Sequence, residues 1–382
     1  MHFLVIGAGK QGSACALDLL RQTATKTVIL ADKDVGHLPA FLDPWRGKNL
    51  EPLQLDLNDE AAVKAAIARA DGVCCAAPYF FNAKLTKLSI DAGRHFCDLG
   101  GNTEVVFEQK AMHGLAVKKG VSVVPDCGVA PGMVNILAGE GIRRLDVAEK
   151  VKIYVGGLPQ HPEPPLNYMV VYSLEGCLDY YTTPSWVLRN GRRTQVEALS
   201  ELEELEFPAP WGKLEAFHTG GGISTMPFSW EGKVRTMEYK TLRYPGHVAI
   251  MKPIRELGLI GNEAIDVEGV KVRPRAVFIA ASAPVLVKPQ AKDLIALRVD
   301  ATGLKNGKPA GTRWQMVDLY DEQHGVTAMM RTTGYSLAIT GIMQLDGRIP
   351  RPGVFAPDEI VPAQPMIEDL AKRGIILEET AL

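Results

Sequence analysis

The run Gly7-Ala-Gly-Lys-Gln-Gly12 limits what this chain can fold into more than any other feature of it. It follows the apolar stretch His2–Gly7 and opens a helical pattern over Gln11–Arg21. In that setting Gly7 permits a tight turn, Gly9 lets a pyrophosphate approach the backbone, and Gly12 allows helix and strand to pack closely. Phosphates would rest on the free N–H groups at the positive end of the helix, beside Lys10 and Gln11. A second apolar run ends in Asp32, about twenty residues past the last glycine, where a ribose-binding carboxylate belongs. A carboxylate there accepts from a 2′-hydroxyl and repels a 2′-phosphate. The motif therefore predicts a dinucleotide site and favours NAD over NADP, with Lys33 pulling the other way. Asp56 closes the third apolar run, either to meet adenine or to cap the next turn. Ala77 and Pro78 close the fourth, where small residues leave room for a cofactor or simply pack tightly.

Strand and helix signals alternate as far as residue 126. Strand candidates are His2–Gly7, Thr27–Asp32, Leu50–Leu57, Gly72–Pro78, His95–Gly100 and Val121–Asp126. Helical spacing occupies Gln11–Arg21, Asp59–Ala70, Phe81–Ala92 and Thr103–Lys119, with Asp59 and Thr103 as N-caps and Gly93 and Gly120 as stops. Such alternation means βαβ units and a doubly wound parallel sheet, a Rossmann domain, expected over residues 1–130. After the turn Cys127–Gly132, Pro131 opens a helix reaching about Leu145. Prolines and the hairpin signal Asn190-Gly191 then mark a change of texture. Asp293–Thr302, Thr312–Tyr320 and Val326–Thr333 read as an antiparallel meander. These signals predict an α+β domain with a largely antiparallel sheet over 131–345, for substrate and oligomer contacts. A closing segment, 346–382, with a helix at Pro365–Arg373, is expected to return to the first domain.

Composition narrows the function. The chain has 382 residues, 42 of them basic against 44 acidic, which leaves no field to hold nucleic acid or anionic lipid. No apolar run approaches the ~18 residues of a membrane span. Six cysteines show no zinc-ligand spacing and read as buried thiols of a reducing compartment. A cytoplasmic protein without a metal, working on a small molecule, is expected.

Several segments of the chain resemble the saccharopine dehydrogenase family. Pro125-Asp-Cys-Gly-Val-Ala-Pro-Gly-Met-Val-Asn-Ile-Leu137 resembles its loop-and-helix signature. Tyr154–Pro159, Pro162–Leu166, Ser173–Gly176, Glu215–Thr219 and Glu238–Tyr244 with Gly246-His247 are similar to its lysine 6-dehydrogenase branch. The resemblance implies NAD-dependent oxidative deamination of the lysine ε-amine to allysine, with ammonia released. A saccharopine- or carboxynorspermidine-type reductase, or a non-catalytic NAD(H) sensor, stand as alternatives. It also implies a homodimer or higher homo-oligomer.

The chemistry needs a proton acceptor, because hydride leaves a carbon whose amine must first be neutral. Asp126, ending the sixth strand at the C-terminal edge of the sheet, is a candidate for base or ammonium anchor, or else fixes the following turn. His218 is the other catalytic candidate, against a purely structural histidine. An α-carboxylate calls for a planar cation, and Arg243 in its aromatic-flanked run is the best placed, unless it is a solvated strand residue. Lys240 and His247 would belong to the same wall. Glu175 would meet an amino group or begin a helix together with Ser173.

Overall fold

A computed structural model describes all residues, Met1–Leu382. The chain divides into two compact units: Met1–Arg144 with Ile223–Met226 and Asp321–Leu377, and Leu145–Gly222 with Pro227–Tyr320 and Glu378–Leu382.

Up to Arg144 the elements are β1 (His2–Ile6), α1 (Lys10–Arg21), β2 (Thr27–Asp32), β3 (Leu50–Gln54), α2 (Glu60–Ala68), β4 (Gly72–Cys75), α3 (Asn82–Asp91), β5 (His95–Asp98), α4 (Thr103–Ala111), α5 (His113–Lys119), β6 (Ser122–Val124) and α6 (Met133–Arg144). All strand pairs here are parallel, in the order β6-β5-β4-β1-β2-β3, the doubly wound arrangement with its switch point at β1. Asp59 caps α2 by accepting from Ala62 N at 3.0 Å. The next expected cap moves by one residue: Asn102, not Thr103, accepts from Glu104 N and Val105 N and starts α4. Leu4, Ile6, Val73, Phe96 and Val123 form a dry floor beneath the helices, which fixes the strand ends that build the site.

From Leu145 the second unit runs through β7 (Val147–Pro159), α7 (Leu174–Thr182), β8 (Ser185–Arg189), β9 (Arg192–Val196), β10 (Glu203–Phe207), β11 (Gly212–His218), α8 (Met226–Ser229), β12 (Val234–Arg243), α9 (His247–Glu256), β13 (Ile265–Val267), β14 (Val270–Val272), α10 (Pro274–Leu286), β15 (Asp293–Lys305) and β16 (Lys308–Leu319). Its large sheet is mostly antiparallel, with one parallel pair, β12 beside β7. Asn190 and Gly191 both take positive φ, as a two-residue hairpin turn requires. Helices α7, α9 and α10 cover one face of the sheet, burying Tyr181, Phe217, Met251 and Leu286.

The remaining chain gives α11 (Ala328–Met330), a π-turn, α12 (Ser336–Leu345), β17 (Gly353–Val354), α13 (Pro357–Ile360), α14 (Ala363–Ala371) and β18 (Glu378–Ala381). Val326–Thr333 is therefore not a third meander strand. Thr327 accepts from Met330 N at 3.1 Å and starts a helix there instead. β17 extends the first sheet beside β6, and Arg373 grips the buried Asp18 of α1 through two bonds of 2.7 and 2.8 Å. Arg143 Nη1 donates to the Asp358 carbonyl, which keeps α6 with the first unit up to Arg144. Residues 321–345 belong to that unit too, packing α12 on β4 and β5. No helix is long and apolar enough to cross a membrane.

Candidate active site

The glycine turn has the form a dinucleotide needs. Gly7 has φ 98° and donates to Ala31 O at 2.7 Å, closing the turn onto β2. A Cβ on Gly12 would lie 1.8 Å from Gly7 O, so helix and turn meet only because that Cβ is missing. Gly9 is different: nothing lies within 4 Å of where its Cβ would point, and the open space borders the first turn of α1. Beside it both polar atoms of the Gln11 amide are buried without a partner. An open backbone cradle, helix N–H groups and an orphaned amide together suit a bound pyrophosphate and its neighbours. Lys10 is exposed at the rim.

Asp32 accepts from Ala8 N at 2.6 Å and from Asp34 N at 3.2 Å, which ties the carboxylate to the glycine turn. Lys33 leans away toward Asp56, 3.6 Å off, on the surface. Asp56 accepts from both nitrogens of Asn58 and so caps the turn into α2, with the Asn58 N–H groups holding its carboxyl below the usual range. Ala77 and Pro78 follow β4 at the same sheet edge, and Ala76 stands against Gly7.

Asp126 sits two residues past β6 in the left-handed region, at φ 61°, and is 1% exposed. Neither carboxylate oxygen has a hydrogen-bond partner. Burial pushes its carboxyl up to about 7, helped by the Asp98 and Asp358 carboxylates and opposed by Ser224 and Lys110. The Ser224 hydroxyl faces it off hydrogen-bond geometry and has no partner either. Oδ1 stands where a Cβ on Gly100 would be, so glycine there makes room for the carboxylate.

Asp98, which sequence reasoning passed over, holds this corner. Its carboxylate accepts from Gly100 N at 2.7 Å, Gln109 Nε2 at 2.7 Å and, more weakly, Asp126 N at 3.4 Å. Burial raises it to about 6 despite those bonds. The available signal was its place: Asp98 ends β5 at the same edge as Asp32 and Asp126.

In the second unit, pairing across β11 and β12 decides which residues share a face. His218 stands opposite Lys240, and Phe217 opposite Thr241. With side chains alternating, Arg243 points with Phe217 and Thr241 toward the helices, while Lys240 and His218 point the other way. Lys240 and His218 are thus not members of the Arg243 wall.

Arg243 is 4% exposed, and the groups that act on its charge are Tyr181, Tyr168, Cys177 and Tyr172, none of them a carboxylate. Its Nε donates to Tyr181 Oη at 3.1 Å, its Nη1 to Leu242 O at 2.8 Å, and the guanidinium lies 4.6 Å from the centre of the Tyr168 ring. Tyr181 Oη donates to His247 Nε2 at 2.9 Å, and His247 Nδ1 donates to Leu166 O at 3.2 Å. This chain requires neutral His247, whose pKa burial and the nearby Arg243 lower to about 3. A fixed guanidinium among neutral groups keeps donors that a carboxylate could accept from.

The opposite face is electrically closed. Lys240 is held by Glu203 at 2.9 Å, and Glu238 by Arg189 at 2.6 Å and Lys152 at 3.1 Å. His218 lies between Tyr239 O and Glu201, its pKa lowered by burial against the pull of Glu201. Glu175 lies in the first turn of α7, which Ser173 caps, and is 3.6 Å from Arg275.

Two family models match almost end to end: the saccharopine dehydrogenase NADP binding domain over residues 3–124 and the saccharopine dehydrogenase C-terminal domain over 128–375. The chain belongs to the saccharopine dehydrogenase family. One relative is the saccharopine dehydrogenase [NADP(+), L-glutamate-forming] of Schizosaccharomyces pombe, 24% identical across 98% of each chain. Another is the mitochondrial alpha-aminoadipic semialdehyde synthase of Mus musculus, 23% identical over 86% of this chain and 42% of its own length. Among solved structures, apo saccharopine dehydrogenase (L-Glu forming) from Saccharomyces cerevisiae superposes with a TM-score of 0.80 at 20% identity, covering 100% of this chain and 99% of that one. The homospermidine synthase of Legionella pneumophila, solved with NAD, gives 0.68 at 11% identity, covering 100% and 91%.

As a saccharopine dehydrogenase family member, the protein is an NAD(P)-binding oxidoreductase of amino acids, acting on a CH–NH bond.

Proposed function

We propose that the protein catalyses NAD-dependent oxidative deamination of the L-lysine ε-amine. The products are allysine, which closes to piperideine-6-carboxylate, with ammonia and NADH. The single observation behind this reading is Arg243, a buried cation with no protein counter-ion. It suits a substrate with one carboxylate. The other two buried arginines are not available on that face: Arg275 is taken by Asp179, Thr182 and the Ile260 carbonyl, and Arg298 points to the opposite side. Saccharopine brings several carboxylates and would want several such cations. The relatives' names favour that second reading, reversible condensation of an aldehyde with an amino acid.

Bound NAD supplies the hydride acceptor, and Gly9, Gln11 and Asp32 would hold its pyrophosphate and ribose. Asp32 supports NAD over NADP, since its carboxylate repels a 2′-phosphate and Lys33 is turned toward Asp56. Asp126, poised near neutrality, would take a proton from the substrate ammonium so that the amine nitrogen's lone pair can drive hydride loss. Water then adds to the iminium carbon, ammonia leaves, and allysine remains. Arg243, oriented by Tyr181 and His247, would hold the α-carboxylate.

The test is NADH absorbance on mixing the purified protein and NAD with lysine, ornithine, saccharopine and cadaverine in turn. Lysine should give the fastest rise. Turnover of saccharopine alone would replace this reading with the reductase one, and silence with every amine would leave a sensor.

A further inference from the structure

Between β11 and β12 the chain makes one excursion. Residues Ile223–Met226 belong with the first unit, although the residues on either side of them belong to the second. Asn135 of α6 fixes the excursion: its Oδ1 accepts from Gly132 N at 2.9 Å, and its Nδ2 donates to Ile223 O at 3.1 Å. Met226 N donates to the same carbonyl at 3.0 Å and closes a four-residue turn with Ser224 and Thr225 at its centre.

Ser224 has φ 44°, in the left-handed region where such a turn ordinarily takes glycine. Its hydroxyl is buried without a hydrogen-bond partner, and so is that of Thr225. Serine here carries two costs, a strained backbone and an unpaired polar group, and glycine would carry neither. Opposite stands Asp126, also at positive φ, also buried, with both carboxylate oxygens unpaired. The Ser224 hydroxyl acts on the Asp126 charge, yet the two do not bond to each other. A molecule that donates to the carboxylate and also bonds the hydroxyl satisfies both, and water does this with two to four polar partners.

We propose that Ser224 and Asp126 hold between them the water that hydrolyses the substrate iminium. The proposal rests on the oxidation of an amine with Asp126 as its base. The carboxylate that receives the nitrogen's proton is necessarily near the carbon bonded to that nitrogen. A water on the same carboxylate is therefore within reach of that carbon, and Ser224 fixes where its oxygen points.

After hydride loss Asp126 returns its first proton to solvent. The water oxygen then bonds to the iminium carbon, the π pair moves to nitrogen, and one water proton goes to Asp126. Asp126 passes that proton to the amine nitrogen. The C–N bond breaks with its pair on nitrogen, ammonia leaves, and the remaining hydroxyl proton goes to Asp126 as the aldehyde forms. Nothing is oxidised or reduced in these steps.

Rapid mixing of enzyme and NAD with substrate, followed by NADH absorbance, tests this. Ser224→Gly removes the hydroxyl and relieves the backbone, so the Tm and NAD binding should be kept. Its kcat should fall ~10-fold or more, the worth of one hydrogen bond. Because hydride transfer precedes water addition, NADH should appear as a burst of about one equivalent per site before the slow steady state. Hydroxylamine, which attacks the iminium carbon without the water site, should restore the steady rate. Ser224→Ala should behave alike and guards against a fault peculiar to the glycine variant. An unchanged kcat in both variants overturns the proposal, and so does a slow rate without a burst, which would place the serine before hydride transfer. The substrate is whichever of lysine and saccharopine wild type oxidises, since an imine must be hydrolysed in either case. Saccharopine as the sole substrate with the burst intact would replace the lysine reading and leave this one standing. A wild type that oxidises no amine removes both.

Discussion

Strand β12 treats buried charge in two opposite ways on its two faces. On one, Glu238 and Lys240 are enclosed by Arg189, Lys152 and Glu203, so the fold itself balances every charge it buries. On the other, three residues along, Arg243 meets only neutral groups: a tyrosine hydroxyl, a carbonyl, the Cys177 thiol and an aromatic ring. The first unit repeats the contrast, with Asp18 gripped by Arg373 and Asp126 left without a partner. A buried ion costs several kcal/mol of desolvation, which its partner recovers. Where the recovery is missing, the proposed function has a ligand supply it. Removing balanced charges should therefore harm stability, and removing unbalanced ones should harm activity alone.

The largest effect is expected at Arg243. Arg243→Met should lower kcat/KM for lysine by on the order of 10³, the worth of a desolvated pair, without lowering the Tm. Arg243→Lys should already weaken lysine use markedly, because the planar fork is lost. An unchanged kcat/KM in the Lys variant would make the arginine an ordinary strand residue.

Next comes Asp126→Asn, for which turnover should fall by on the order of 10² while NAD binding survives. Its stability effect has the reverse sign. The folded pKa of about 7 lies above the unfolded one, so the carboxyl costs nothing in acid, and stability is lost as pH rises toward and through 7. Asn should flatten that loss, gaining a few kcal/mol at pH 8 relative to pH 5, since each tenfold change in proton affinity is worth ~1.4 kcal/mol. Urea titrations of both proteins at the two pH values check this, and parallel losses would show a carboxyl that titrates normally.

Lys240→Met should do the opposite of Arg243→Met. It leaves Glu203 without its near partner and should cost about 1–3 kcal/mol, below the figure for a fully buried pair because Glu203 is partly solvated. Lysine kinetics of the folded variant should not change. A kinetic defect matching that of Arg243 would erase the distinction between the two faces. Smallest of the four is the nucleotide preference, with kcat/KM about tenfold or more in favour of NAD, or ~1.4 kcal/mol. Equal use of NADP would show that Asp32 stays turned to Ala8 and leaves the 2′ position unread.

What the sequence made legible follows from how local each signal is. Gly7, Gly9, Gly12 and Asp32 sit within one βαβ unit, so spacing alone placed them. Asp126 was visible as the polar end of an apolar run. Its missing partners were not, because Asp98, Ser224 and Asp358 come from distant segments. Lys240 and Arg243 look alike in a strand-like run, and only the pairing of His218 with Lys240 separates them. Val326–Thr333 has a strand's composition, yet Thr327 caps a helix there, a choice made by packing.

The most direct test is the ratio of kcat/KM for lysine to that for cadaverine, which is lysine without its carboxylate, measured with the wild-type enzyme and NAD. If Arg243 waits for that carboxylate, the ratio should reach ~100 or more, matching about 2–5 kcal/mol for a desolvated pair. A ratio near one would contradict the account, because the unbalanced charge would then have no substrate group to balance it.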